Sequence, residues 1–448
     1  MIKKKTWLIC FVLMTQLCFG QSQLSKIEWV DSIMNGMTLD QKIGQLFMVR
    51  AFSKLDNADV PKITQLIKTH HIGGICFFQG SPKKQAELTN HYQKLSKIPL
   101  MIGIDGEWGL GMRFPESTLS FPRQLTLGAI RDDGLIEEFG YEVANHMKRI
   151  GVHINFAPVV DVNNNARNPV FNDRSFGEDV YSVSSKSYHY AIGMQKNGVL
   201  ACAKHFPGHG DTETDSHYDL PVIKHNISRL EEIEFFPFKS LAAKGIAAMM
   251  VGHLHIPVID NRANRPTTLS KNAVTDILKK DMGFDGLIFT DALDMKGVTK
   301  YFKAGEAEAE ALAAGVDVLL LSEFVSLAIS KIKNYLEQGK IFQSDIDQSV
   351  RKILMAKYEV GLANFQPIVI DGLLDYINSN ISIAVKSKLI ENSITLVSDK
   401  DDLLPLSEYV PKKMATLAIG SARRTAFQDR LHKFLAFDHY NTVYQVNE

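Results

Sequence analysis

The densest run of reactive side chains is Lys204-His205-Phe206-Pro207-Gly208-His209-Gly210-Asp211-Thr212-Glu213-Thr214-Asp215-Ser216-His217. Three histidines, two aspartates, a glutamate and a lysine are too many for a core. Imidazoles and carboxylates together are groups that exchange protons near neutral pH. The run follows an apolar segment directly, and Pro207, Gly208 and Gly210 keep it out of a helix. His205 and His209 have the spacing of a helical zinc pair, but outside a helix they share no face, so no metal is expected. The plainer alternative is a solvated polar loop.

Asp291 ends the apolar run Leu287-Ile288-Phe289-Thr290. A carboxylate there is costly unless paired or used, which makes it a site candidate; a helix N-cap is the simpler role. Asp294 lies off the strand end. Asp105 ends Ile102-Gly103-Ile104 and is followed by Glu107, Trp108 and Arg113. Carboxylates and Arg suit bidentate hydrogen bonds to adjacent hydroxyls, and Trp108 offers a face for stacking or for packing. Arg174, in Asp173-Arg174-Ser175-Phe176-Gly177, either reaches a pocket or pairs with Asp173 or Asp179. Asp161 closes the segment Asn155–Asp161. His253, in Gly252-His253-Leu254-His255, sits nearer a strand end than His255.

Strands must position these groups. Apolar runs at Leu46–Ala51, Gly74–Phe78, Leu100–Ile104, His153–Val160, Leu200–His205, Ala247–Val251, Leu287–Thr290 and Val316–Leu321 alternate with helical patterns. Several are apolar on consecutive positions, as in strands covered on both faces. Helices are expected over Asp132–Ile150, Ser228–Lys244, Ser270–Met282, Ala304–Ala314 and Ser344–Tyr358, with Ser270 as a cap and Gly283 as a stop. This spacing predicts a (β/α)8 barrel, with an open doubly wound sheet as the alternative. Catalytic groups then belong at the C-terminal ends of the strands. The expected division is a leader over 1–20, a catalytic barrel over 25–362, a linker helix region over 363–385 and a partial α/β unit over 386–448. New strands are read at Ser393–Val397 and Met414–Ile419.

The 448 residues allow one large α/β domain and part of another. Lys+Arg and Asp+Glu are both 50, so the basic excess of a nucleic-acid binder is absent. Lys3, Lys4 and Lys5 precede an apolar stretch, Trp7–Phe19, which with Gly20 reads as a signal peptide. Export to a periplasm or the medium is expected, with no stable membrane span after its removal. Cys76 and Cys202 lie in apolar runs and read as packing residues rather than a disulfide.

Together these segments resemble glycoside hydrolase family 3, in its β-N-acetylhexosaminidase branch, from about Leu39 to Lys357. The strongest element is Lys204–Gly210 with Asp215-Ser216-His217, followed by Gly283-Phe284-Asp285-Gly286 leading to Thr290-Asp291, Pro266-Thr267-Thr268-Leu269-Ser270 and Asp173–Gly177. The resemblance implies a barrel, no cofactor and a retaining mechanism, with Asp291 as nucleophile and the pair Asp215/His217 as acid/base. It implies that Asp105, Arg113, Arg174, Lys204, His205 and, as a weaker match, His253 hold a terminal N-acetylglucosamine. The substrate would be an oligosaccharide or muropeptide carrying that sugar. Trp108 and Leu110 depart from the Gly and Arg more usual there. Segment Ile394–Leu406 resembles the start of the family's second domain.

Histidine serves both half-reactions of such a mechanism, and Asp215 would fix the tautomer of His217. Gly208 and Gly210 would let the loop move over the sugar. The alternatives are a β-glucosidase or β-xylosidase of the same family, a phosphorylase, and a non-catalytic sugar-binding module.

Overall fold

A computed structural model describes residues 24–54, 58–400, 402, 404–405 and 413–443. The expected leader over 1–20 lies outside the described residues. Eight parallel strands form the centre: Phe47–Ser53 (β1), Gly74–Gly80 (β2), Met101–Ile104 (β3), Ile154–Asn155 (β4), Leu200–Phe206 (β5), Ala248–Val251 (β6), Leu287–Thr290 (β7) and Leu319–Leu320 (β8). Their order is β7-β6-β5-β4-β3-β2-β1-β8, and a Phe289–Val318 bridge joins β7 to the β8 segment. The result is the expected (β/α)8 barrel. Strands β3, β5, β6 and β7 are buried at every position, as strands wrapped by helices must be.

Two strands are shorter than their apolar runs by more than a residue. The run His153–Val160 contributes only Ile154–Asn155 to the ladder, because the Ala157 N–H turns back onto the Asn155 carbonyl at 2.8 Å and the Cys202 N–H goes to the Ala157 carbonyl instead; a single bridge, Val159 to Lys204, follows it. The run Val316–Leu321 contributes only Leu319–Leu320 and ends where Leu321 turns to φ 58°. Helix Asp133–Arg149 starts as expected, with the Asp132 carboxylate accepting the Gly134 N–H at 2.9 Å. The stretch Ser228–Lys244 is helical in three pieces. Pro237 gives no N–H to the preceding turn, and Leu230–Glu234 widens to i→i+5 bonding ahead of it.

Ser393–Val397 is not a strand. Ser393 ends the helix Asn380–Ser393, and 394–399 follow irregularly, outside any ladder among the described residues. Apolar side chains alone do not make a strand where no neighbour offers a ladder. The helix belongs to the barrel unit: the Ser382 hydroxyl donates to Glu142 Oε1 at 2.6 Å and meets His146 Nε2 at 2.9 Å. The chain divides into two compact units, Met1–Ser393 and Ile394–Glu448. The second holds Met414–Ile419 (β9), the helix Ala426–His432 and Phe437–Thr442 (β10), a parallel βαβ arrangement. No helix among the described residues is long and apolar enough to cross a membrane.

One charge is buried under the barrel with no carboxylate. Lys357, on helix Gln343–Glu359, is 0% exposed, and its ammonium donates to Gln45 Oε1 at 2.6 Å. Burial pulls its pKa down to about 7 from 10.5. The folded state therefore binds fewer protons than the unfolded state between those values, and stability rises with pH across that window. Below about pH 7 the penalty is present in full. Replacing Lys357 by Met should thus help more at pH 6 than at pH 10, with a difference on the order of 3 kcal/mol. Denaturant midpoints of both proteins at the two pH values measure it; an equal gap would refute it.

Candidate active site

The C-terminal strand ends surround a cavity of about 580 Å³. Asp291 follows β7 into its wall. The backbone sets its place: its N–H donates to the Val251 carbonyl at 2.9 Å, and its Oδ1 accepts the Ala292 N–H at 2.7 Å. Burial alone would raise its pKa, but His205, His253, the Ala292 N–H and Lys204 outweigh burial and hold it below the ordinary aspartate value. A carboxylate kept anionic in a cavity wall suits nucleophilic attack.

A row of alternating charges lines another wall. The Arg113 guanidinium donates to Asp105 Oδ2 at 2.7 Å, and Lys204 Nζ donates to Asp105 Oδ1 at 2.7 Å. Lys204 also meets Glu107 Oε1 at 2.9 Å. Arg174 grips Glu107 with both arms of its fork, at 3.0 and 2.7 Å. Burial opposes both carboxylates, yet the cations overcome it: Asp105 is lowered, and Glu107 is pushed far below its ordinary value. Lys204 is raised by the same partners against its own burial. Donors fixed this way present a preset grid for sugar hydroxyls.

Asp161 organises the loop after β5. It accepts N–H groups from His205, at 3.1 Å to Oδ2, and from His209, at 2.7 Å to Oδ1. Its Oδ2 also takes the His205 Nδ1 proton at 2.8 Å, leaving the Nε2 edge of a ring that lines the cavity. Thr212 gives its hydroxyl proton to the His209 carbonyl, so His209 Nδ1–H donates to Thr212 at 2.8 Å and Nε2 accepts from Ser216. That ring is neutral, and burial takes its pKa down to about 4. His209 is thus committed to protein partners at both nitrogens, and His205 at Nδ1. Among the described residues no group of three or more His, Cys, Asp or Glu is arranged to hold a metal ion.

His217 also lines the cavity, with an exposed side chain. Its Nδ1–H donates to Asp215 Oδ1 at 2.7 Å, and the same oxygen accepts its backbone N–H at 2.8 Å. Nε2 is left for a ligand. Gly208 and Gly210 sit in close quarters. A Cβ at Gly210 would lie 1.8 Å from the Val162 carbonyl oxygen, and one at Gly208 would lie 2.8 Å from the Glu234 Cβ. Close packing requires these glycines.

The fold brings Asp105, Arg113, Arg174, Lys204, His205, His217 and Asp291 to one cavity, with Asp215 behind His217. His253 is not among them. It is 0% exposed, with Nδ1 on Thr268 at 2.8 Å and Nε2–H on the Ala292 carbonyl at 2.9 Å. It braces Ala292 from the carbonyl side, the residue whose N–H serves Asp291. Trp108 packs under Arg123, 4.4 Å from the ring centre, and does not line the cavity. Arg174 pairs with Glu107 rather than Asp173, which takes Arg123 instead.

Further residues line the cavity beyond the expected set, among them Arg50, Asp294 and Lys296. Arg50 pairs with Asp294 at 2.6 Å and lies over Phe78, and Arg113 lies over the same ring. A lone arginine inside the apolar β1 run was the available signal for the first; Asp294 had no strand end to mark it. Cys76 lines the cavity floor and Cys202 is buried in β5; both thiols are free, and burial pushes them well above the ordinary range.

Residues 38–356 match the family described as "Glycosyl hydrolase family 3 N terminal domain". "Beta-hexosaminidase A" of Pseudoalteromonas piscicida is 29% identical over 83% of this chain and 68% of its own length. A "Beta-hexosaminidase" of Thiobacillus denitrificans is 34% identical over 57% of this chain and 73% of its own. Among solved structures, a glycoside hydrolase family 3 beta-N-acetylglucosaminidase from Paenibacillus sp. str. FPU-7 superposes with a TM-score of 0.77 at 30% identity, covering 90% of this chain and 80% of that one. "Beta-glucoside phosphorylase BglX" superposes at 0.81 with 26% identity, covering 95% and 78%.

Proposed function

The chain belongs to glycosyl hydrolase family 3, and from that membership we propose a retaining exo-hydrolase of terminal N-acetyl-β-D-hexosaminides that works through Asp291 and the Asp215/His217 pair. The observation that carries this reading is that an anionic Asp291 and a His217 anchored at Nδ1 line the same cavity. Asp291 attacks the anomeric carbon while His217, protonated on both nitrogens, gives its Nε2 proton to the leaving oxygen. The glycosyl ester on Asp291 then meets a water. His217 Nε2 takes one water proton, the hydroxyl oxygen bonds to the anomeric carbon, and the Asp291 carboxylate leaves. Two displacements retain the configuration. Asp215 stays ionised and supports the imidazolium at Nδ1. Asp105, Lys204, Arg113 and Arg174 bind the terminal sugar's hydroxyls, with His205 Nε2 beside them.

The natural substrate in this reading is an N-acetylglucosamine-bearing oligosaccharide or muropeptide. Export, supported by the Lys3–Lys5 and Trp7–Phe19 pattern, would place the enzyme where wall fragments are turned over.

A second reading has its own observation, the likeness to a β-glucoside phosphorylase. A histidine acid/base also tolerates phosphate where a glutamate would repel it. Two paired assays separate these readings. The purified protein should cleave 4-nitrophenyl N-acetyl-β-glucosaminide at least ~10²-fold better in kcat/KM than the matched β-glucoside, if the acetamido group contributes about 3 kcal/mol. In phosphate buffer the product should remain free N-acetylglucosamine. A preference for glucoside, or a sugar 1-phosphate as main product, would replace the proposal.

A further inference from the structure

The residue proposed as acid/base is itself exposed and lies on a segment without regular structure. Something else must keep it over the cavity. On one side of His217, Ser216 is held twice: its hydroxyl meets His209 Nε2 at 3.2 Å, and its carbonyl accepts the Gly297 N–H at 3.1 Å. On the other side stands Asp219. Its Oδ1 accepts the Tyr301 hydroxyl at 2.8 Å and the Leu220 N–H at 2.9 Å, and its Oδ2 accepts the Lys300 ammonium at 2.7 Å. His217 is thus strung between two anchors, both on the segment after β7 that begins with Asp291.

The close approach is built in. A Cβ on Gly297 would come 3.1 Å from the Ser216 carbonyl oxygen and 3.4 Å from that of Asp219. The hydrogen bonds from Lys300 and then Tyr301 hold the Asp219 carboxyl down to about 2, so the acceptor is charged at working pH. The Lys300 and Asp219 side chains are both about half exposed, and an ion pair so placed is weak. It can break and re-form within a catalytic cycle, which a loop that must admit and release sugar requires.

We infer that Asp219, Tyr301 and Lys300 form a latch that positions His217 for proton transfer. The inference rests on His217 being the acid/base. Asp219 touches no reacting atom in it and is a positioning residue. A latch of this kind acts on the first chemical step in proportion to how much that step needs a proton. Its loss therefore steepens the dependence of kcat/KM on the leaving group, while a merely structural defect lowers all substrates alike.

The test is a series of aryl and alkyl N-acetyl-β-glucosaminides with leaving groups of rising basicity, run on wild type, His217→Ala, Asp219→Ala, Tyr301→Phe and Asp219→Asn. Tyr301→Phe keeps the ring and removes only the hydroxyl, so it covers the case in which Asp219→Ala does not fold. Asp219→Ala should lose at least ~10-fold on alkyl glycosides and far less on nitrophenyl ones, following the His217→Ala slope. Tyr301→Phe should shift the same way by a smaller factor. Asp219→Asn keeps one oxygen for Tyr301 and Leu220 but sets an NH2 donor against the Lys300 ammonium, so it should fall between wild type and Asp219→Ala. If His217→Ala is steep while Asp219→Ala and Tyr301→Phe keep the wild-type slope, the latch is wrong and the acid/base assignment survives. If His217→Ala itself keeps the wild-type slope, that assignment falls and takes the latch with it.

Discussion

Asp291→Ala should abolish hydrolysis, with kcat/KM down by roughly 10⁵-fold or more on every substrate, whatever its leaving group. Each of the other carboxylates lining the cavity among the described residues is already paired. Asp294 is held by Arg50, Asp105 by Arg113 and Lys204, and Glu107 by Arg174 and Lys204. The binding grid does not involve Asp291, so the variant should still bind sugar and keep its fold, by circular dichroism and by titration with N-acetylglucosamine. Stereochemistry gives a second reading. A small anion such as azide can enter the space left by the carboxylate and attack the anomeric carbon from the face opposite the leaving group. Added azide should restore turnover of a nitrophenyl substrate and yield the α-glycosyl azide. A variant with near-normal rates would remove Asp291 from the chemistry altogether.

His217→Ala should lose about 10²–10⁴-fold in kcat/KM where the leaving group is another sugar, because the departing alkoxide then goes unprotonated. With 4-nitrophenol the loss should be much smaller. The second half-reaction still suffers, since no base activates the water, so the glycosyl-enzyme should accumulate and give a burst of nitrophenol. Azide needs no base and should relieve that block. It attacks the glycosyl-enzyme from the face opposite Asp291, so its product is the β-glycosyl azide, the opposite anomer to the outcome above. Asp215→Asn should reproduce part of this loss and add little on top of His217→Ala, because the two side chains act as one unit. Additive losses would show that Asp215 has a task of its own.

What the chain disclosed beforehand follows from what is local. Polar groups that end apolar runs, Asp105, Lys204, His205 and Asp291, were readable because each breaks a pattern within a few residues, and all four reach the cavity. The barrel was readable for the same reason, since its strands are covered on both faces. Partnerships were not. Glu107 and Arg174 are 67 positions apart, and no local rule selects Glu107 over the adjacent Asp173. His253 was over-read: it follows a strand end, but its backbone turns the ring behind Asp291 instead of into the opening. The glycines of the β5 loop show only a missing side chain in sequence, while the folded neighbours show that the space beside them is also taken. The latch was invisible, since it joins Asp219 to residues more than 80 positions away through side chains that each look like ordinary surface.

The two buried sulfurs carry a consequence for biogenesis. Once β2 and β5 are in place, neither thiol ionises at physiological pH, and thiol–disulfide exchange runs through the thiolate. A finished barrel is therefore indifferent to the redox poise around it and needs no reductant in purification. The nascent chain is not so protected. If it crosses into an oxidising compartment, Cys76 and Cys202 are open to mispairing only until the sheet closes over them, and folding speed rather than a bond decides the yield.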